Sequence, residues 1–172
     1  MGSGQPREPA GGHAGKAMES VPRPAAVYAA AGLIPFLACA ALVWILPYPW
    51  NAFALDVQLY YGAVVLSFLG AVHWGLAMAG TGAGKEGAAA ACTWTRLGWA
   101  VAPALVGWLS VIMVPLVGLI TQILAFTAAF FGDVRAARLG LAPLWYTRLR
   151  RPLTALVLVS LGVALLRVVW RG

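Results

Sequence analysis

Groups able to carry acid–base or ionic chemistry are scarce in this chain, with five Asp and Glu and two His among 172 residues. One histidine, His73, stands in the uncharged stretch SFLGAVHWGLA at residues 67–77, where an imidazole facing an apolar medium would be costly. Its candidate partners are the polar residues that bound the neighbouring apolar runs. Arg96 precedes one run and Asp133 closes another; Gln122 lies eleven residues before Asp133 on nearly the same helical face, and Tyr146 and Arg150 follow in a basic loop. The candidate site is a polar cluster of His73, Arg96, Gln122, Asp133, Tyr146 and Arg150. Two chemistries suit it. A neutral histidine could fix helix register while Asp133 pairs with Arg96, Arg135 or Arg150. Alternatively the cluster could handle a proton or an anionic ligand, since histidine titrates near neutral pH and intramembrane ionisable groups mark transport paths.

Catalytic constellations are absent from the sequence. It has no nucleophile elbow, no phosphate-binding glycine loop, no zinc-ligand pair at helical spacing and no pair of carboxylates within the apolar runs. The expectation is a protein that is not an enzyme and that carries no cofactor and no metal.

The elements that must position these groups follow from composition. Hydrophobic residues make up 62% of the chain and charged ones 10%, with a mean hydropathy of +0.83, against about 45–50% and about 25% in soluble domains. This is the composition of a membrane protein. A net charge of +7 and a pI near 10.1 could suit nucleic acid, but the basic residues flank apolar runs and form no soluble basic face, so no nucleic acid partner is expected. The first 24 residues, rich in Gly, Pro and Ala with no hydrophobic period, read as a disordered tail. They match neither a secretory signal nor a mitochondrial presequence.

Uncharged apolar runs cover residues 25–46, 59–79, 97–132 and 153–166, the last extending past Arg167 to Trp170. As a single helix the third would be about 54 Å long, too much for a hydrocarbon core of about 30 Å. Pro115 breaks it naturally, because proline ends one helix and suits the first turn of the next. The fold class is therefore all-α: a polytopic membrane bundle of five transmembrane helices at about residues 25–46, 59–79, 97–114, 116–132 and 153–170. The positive-inside rule agrees. With the N-terminus inside, all twelve Lys and Arg except Arg167 and Arg171 fall on the inner side. The expected setting is a bacterial inner membrane, N-terminus cytoplasmic and C-terminus periplasmic. Cys39 falls within the first span and Cys92 beyond the opposite membrane face, so no disulfide joins them.

Helices in lipid gain nothing hydrophobic by associating, so small residues and interhelical hydrogen bonds must hold them. The second span is the expected centre of the bundle. Ala63, Ser67, Ala71 and Gly75 recur every four residues as a small-residue stripe, with Gly62 and Gly70 on a neighbouring face. The inner loop DVRAARLGLAPLWYTRLRRP suggests a short interfacial helix from Pro143 to Arg151, with Trp145, Arg148, Arg150 and Arg151 as candidate contacts to anionic lipid headgroups of the inner leaflet. Enforcing topology alone would also account for these arginines.

Three separated segments, YGAVVLSFLGAVHWGLAM, RLGWAVAPALVGWLS and GDVRAARLGLAPLWYTRLRRPLT, resemble in order the family related to transmembrane protein sixty-nine, found in bacterial membranes and in mitochondria. The resemblance spans roughly residues 32–166 and implies a compact five-helix membrane protein; it carries no activity and no functional residues to transfer. The functional expectation is a non-catalytic accessory or assembly factor that binds a protein or anionic-lipid partner, or a second copy of itself. The alternative is a small oligomeric transporter or channel for a proton-linked or anionic solute.

Overall fold

The computed structural model describes residues 21–80, 93–142 and 144–171. Six helices are formed among the described residues: α1 (Arg23–Ala31), α2 (Ile34–Ile45), α3 (Trp50–Gly80), α4 (Trp94–Ile112), α5 (Pro115–Arg138) and α6 (Leu144–Arg171). α1 and α2 together form one membrane-length unit, so five helical units are long and apolar enough to cross a membrane. They run up and down, bringing the ends of α3 and α5 and the starts of α1, α4 and α6 to one side, called here the arginine-rich end. The α4–α5 turn marks the other, the hairpin end. Residues 1–20, which hold most of the expected disordered tail, residues 81–92 with Cys92, Pro143 and Gly172 lie outside the described residues.

Three spans are longer than their apolar runs imply; α5 runs on through Asp133 to Arg138. α3 begins at Trp50, through Asn51, Asp56 and Gln58, because Asp56 is exposed at the hairpin end while Gln58 turns inward. α6 begins at Leu144 and continues through Pro152, so residues 144–151 of the expected in-plane helix are the first turns of the last span, and its expected first residue, Pro143, lies outside the described residues. An exposed proline is tolerated there as in other membrane helices. In the first span Pro35 removes the donor that the Ala31 carbonyl would use, and the helix breaks at Gly32–Leu33. The Tyr61 hydroxyl donates to the Gly32 carbonyl over 2.9 Å at this break, which supplies the partner that lipid could not.

The centre is shared by α3 and α5: α3 packs on α2, α4 and α5, and α5 on α3, α4 and α6. Phe36 of α2 fills the middle, edge-on to Tyr61 at 5.1 Å and to Phe126 at 5.8 Å between ring centres. Around it pack Leu59, Leu66, Leu119 and Leu161. Large apolar side chains such as Phe68, Trp108, Leu124 and Phe131 point outward, the arrangement expected of a surface solvated by lipid.

Glycines set the crossings. A Cβ on Gly107 would lie 3.1 Å from the Ala63 Cα, and one on Gly70 would strike the Ala100 carbonyl. Position 63 thus faces 107 and 70 faces 100, in one antiparallel register of α3 on α4. The stripe expected at four-residue spacing does not pack as a unit. Ser67 and Ala71 are exposed, and nothing lies within 4 Å of where a Gly75 Cβ would be. Four residues advance a helix by about 400°, so such a stripe drifts by about 40° per step. The buried line of α3 instead follows Leu59, Gly62, Leu66, Leu69, Gly70 and Ala77.

Candidate functional site

Three helices meet on one carboxylate at the arginine-rich end. Asp133, on the last turns of α5, is 1% exposed. Its Oδ1 lies 2.8 Å from Nε2 of His73 on α3, and its Oδ2 accepts from Nε of Arg150 on α6 over 2.7 Å. A carboxylate only accepts, so Nε2 of His73 is the donor in this contact. Tyr146, one turn before Arg150, stands beside the same carboxylate, its hydroxyl buried without a well-aligned hydrogen bond.

The chain reaches this geometry by a sharp helix stop. α5 ends in a Schellman motif: the Leu141 N–H bonds the Ala136 carbonyl and the Gly140 N–H bonds the Ala137 carbonyl. Gly140 has φ +71°, which glycine adopts without Cβ strain. Ala136, Ala137 and Ala142 close a small apolar cluster against Leu76 and Tyr146. The chain can therefore turn within a few residues, returning Arg150 alongside Asp133.

Four of the six expected cluster members meet there: His73, Asp133, Arg150 and Tyr146. The other two do not. Arg96 makes no ion pair with Asp133 among the described residues; its backbone N–H is capped by Thr93 at the start of α4. Gln122 shares a face with Asp133, but eleven residues carry it about 16 Å along the helix. There it donates to the Leu59 carbonyl over 2.6 Å and to Ser110 Oγ over 3.0 Å. Gly62 makes room for it, because a Cβ there would overlap the Gln122 amide. A residue not anticipated, Gln58, adds a further α3–α6 link by donating to Ser160 over 3.4 Å. Its signal was an amide within helical reach of the second apolar run.

Of the expected headgroup contacts, Arg148 and Arg151 are exposed and Trp145 is half-buried, stacked edge-on against Tyr146. Arg150 is 7% exposed and turned onto Asp133, so it is an interior residue and not a headgroup contact. Of the helix-packing residues, Gly62, Ala63 and Gly70 lie at helix crossings, whereas Ser67, Ala71 and Gly75 do not. Ser67 bonds back to the Ala63 carbonyl of its own helix. No group of three His, Cys, Asp or Glu able to hold a metal occurs among the described residues.

At the hairpin end, the Trp44 indole donates to the Val163 carbonyl over 3.1 Å, and the Arg167 guanidinium lies 5.5 Å from the centre of the same ring. α2 is thereby tied to α6, opposite the Asp133 tie.

Fold and site together define a polytopic membrane helix bundle whose spans are pinned by buried polar ties. The chain belongs to the family described as "Protein of unknown function (DUF3429)", whose model matches residues 21–166. It is also 35% identical over 150 residues to Transmembrane protein 69 of Xenopus tropicalis, an alignment covering 85% of this chain and 55% of that protein. The chain thus spans about half the length of that relative. No solved structure matches it.

Proposed function

We propose that this protein is a non-catalytic accessory or assembly factor, a rigid membrane scaffold that offers its arginine-rich end to a protein or to anionic lipid. The observation that carries the reading is that both oxygens of Asp133 are taken, by His73 from one helix and Arg150 from another. A polar group closed in this way suits a lock between helices better than a site that must exchange a ligand. Exposed Arg135, Arg138, Arg148 and Arg151 surround that end and match the charge of an anionic headgroup or an acidic partner. The same sorting of charge supports a cytoplasmic N-terminus and a periplasmic C-terminus in a bacterial inner membrane. The Ala-, Gly- and Arg-rich composition also favours a bacterial setting.

The test is extraction into lipid nanodiscs followed by mass spectrometry of what co-purifies. A variant with these four exposed arginines changed to Gln is run beside it, its orientation checked by cysteine labelling. A stoichiometric protein or anionic lipid lost from the variant supports the scaffold. A preparation without either overturns it.

One observation favours a small transporter as the second reading. Buried polar side chains recur through the depth of α6, at Thr147, Arg150, Thr154 and Ser160, with the His73–Asp133 pair at one end. A pH-dependent proton or anion flux in proteoliposomes, abolished by His73→Leu and Asp133→Asn in folded protein, would replace the scaffold with this reading.

A further inference from the structure

Buried side-chain atoms with no hydrogen-bond partner in the protein gather at one place. Six occur among the described residues, and four of them belong to residues 146–154 of α6: the hydroxyls of Tyr146, Thr147 and Thr154, and Nη2 of Arg150. Thr147, Arg150 and Thr154 are 9%, 7% and 4% exposed and, at spacings of three and four residues, share one face of the helix. That face lies on α5. The Arg150–Asp133 contact fixes the antiparallel register, which sets Thr154 opposite Ala129 and Thr147 opposite Ala136. Both partners are buried alanines, and Tyr146 packs against the second of them. Neither threonine bonds back to its own helix, as Thr127 does to the Ile123 carbonyl over 2.7 Å.

We propose that the α5–α6 seam beside Asp133 is a binding site for internal water, held by Nη2 of Arg150 and by the hydroxyls of Thr147 and Thr154. The guanidinium is what demands it. Its Nε is committed to Asp133, and the Nη2 donors, fixed in the same plane, cannot rotate toward a carbonyl as a hydroxyl can. An unmet donor on a cation costs more than one on a neutral group, and hydrocarbon offers no partner. The same chemistry selects water over an anion. Asp133 already cancels the charge of Arg150, so an anion would meet no net positive charge in a medium where burying its own is costly. Water accepts from the guanidinium and donates to the threonine oxygens, and a buried water makes about three such bonds. Thr154 lies about 6 Å deeper than Arg150 at helical rise, so the site carries water from the Asp133 tie toward the apolar middle of the bundle. It is separate from the exposed arginines of the proposed scaffold surface, so either can fail without the other.

The experiment is water-edited solid-state NMR of the full chain in proteoliposomes, reading magnetisation transfer from water to the side-chain carbons of Arg150, Thr147 and Thr154. Thr127 is the control, a threonine within the α5 span whose hydroxyl is already bonded. The expected result is transfer to Arg150 and Thr154 several-fold faster than to Thr127. Two variants place the water. Thr147→Val/Thr154→Val removes both hydroxyls at nearly constant shape and should slow transfer to Arg150. Ala129→Leu fills the seam opposite Thr154 and should bring transfer there down to the Thr127 level; the double variant keeps the test alive if this one fails to fold. Wild-type transfer no faster than to Thr127 overturns the site. Undiminished transfer in either folded variant overturns it too, because the water would then lie elsewhere.

Discussion

Arg150 Nε donates to Asp133 Oδ2 over 2.7 Å, joining α6 to α5 across a turn of a few residues, while His73 occupies the other oxygen from α3. The pair is almost wholly removed from solvent, with side-chain exposures of 9% and 1%. Such a pair is weak evidence of net stabilisation, because desolvation offsets much of the Coulombic gain; breaking it from one side is what costs.

Asp133→Ala is therefore expected to destabilise the bundle by about 3–5 kcal/mol, the range for stranding one member of a buried ion pair. The double variant Asp133→Ala/Arg150→Met removes both charges and should recover part of the loss. Thermal unfolding in lipid nanodiscs measures both. A double variant as unstable as the two single losses added together would show that the residues are not coupled.

His73→Leu should cost less than Arg150→Met. It removes one hydrogen bond to a charged group, about 1.5–3 kcal/mol, but leaves Asp133 with its guanidinium. His73→Gln, which can still donate, should lie between His73→Leu and the wild type. The check is the order of melting temperatures, and a reversal of His73→Leu and Arg150→Met would mean that the imidazole carries the tie.

Two glycines of α3 should respond with opposite sign to the same added methyl. Gly62→Ala drives a Cβ into the Gln122 amide and is expected to cost about 1–3 kcal/mol, as overpacking does. Gly75 has nothing within 4 Å of that position, so Gly75→Ala should gain about 0.5–1 kcal/mol from reduced backbone freedom in the unfolded chain. Gly62→Ala combined with Gln122→Ala should recover part of the first loss. The melting temperatures of the four proteins decide it.

How far the fold could be read from the sequence depended on which signals are one-dimensional. Length against bilayer thickness and the sorting of arginines both act along the membrane normal, so they settled the number of spans and the break at Pro115. The meeting of His73 with Asp133 followed because both lie near the same end of their spans. What failed required rotation about a helix axis or depth along it. Gln122 and Asp133 share a face, but at helical rise they belong to different polar groups. Ser67, Ala71 and Gly75 continue a pattern that drifts away from the interface. Arg150 is expected both beside Asp133 and, like its neighbours in the basic loop, at lipid headgroups; only the continuation of α6 through Pro152 decides for the first. Trp44 and Arg167 lie in different spans, and neither has a local pattern that announces their stacking.

The stop at Gly140 makes the last prediction. Its φ of +71° would cost a residue with a Cβ about 1–2 kcal/mol, and Asn less, because Asn tolerates this region. Gly140→Ala should therefore destabilise and Gly140→Asn do so by a smaller amount. The damage should begin locally. The Leu141 N–H, bonded to the Ala136 carbonyl over 2.9 Å, and the Gly140 N–H, bonded to the Ala137 carbonyl over 3.1 Å, are the amides that lose protection first when the motif opens. Because the turn returns Arg150 to Asp133, loosening it should also weaken the tie. Amide exchange by mass spectrometry on peptides covering residues 134–151 would then show faster exchange spreading from the turn into the first turns of α6. Faster exchange confined to residues 139–141 would mean that the ion pair holds the two helices whatever the turn between them does.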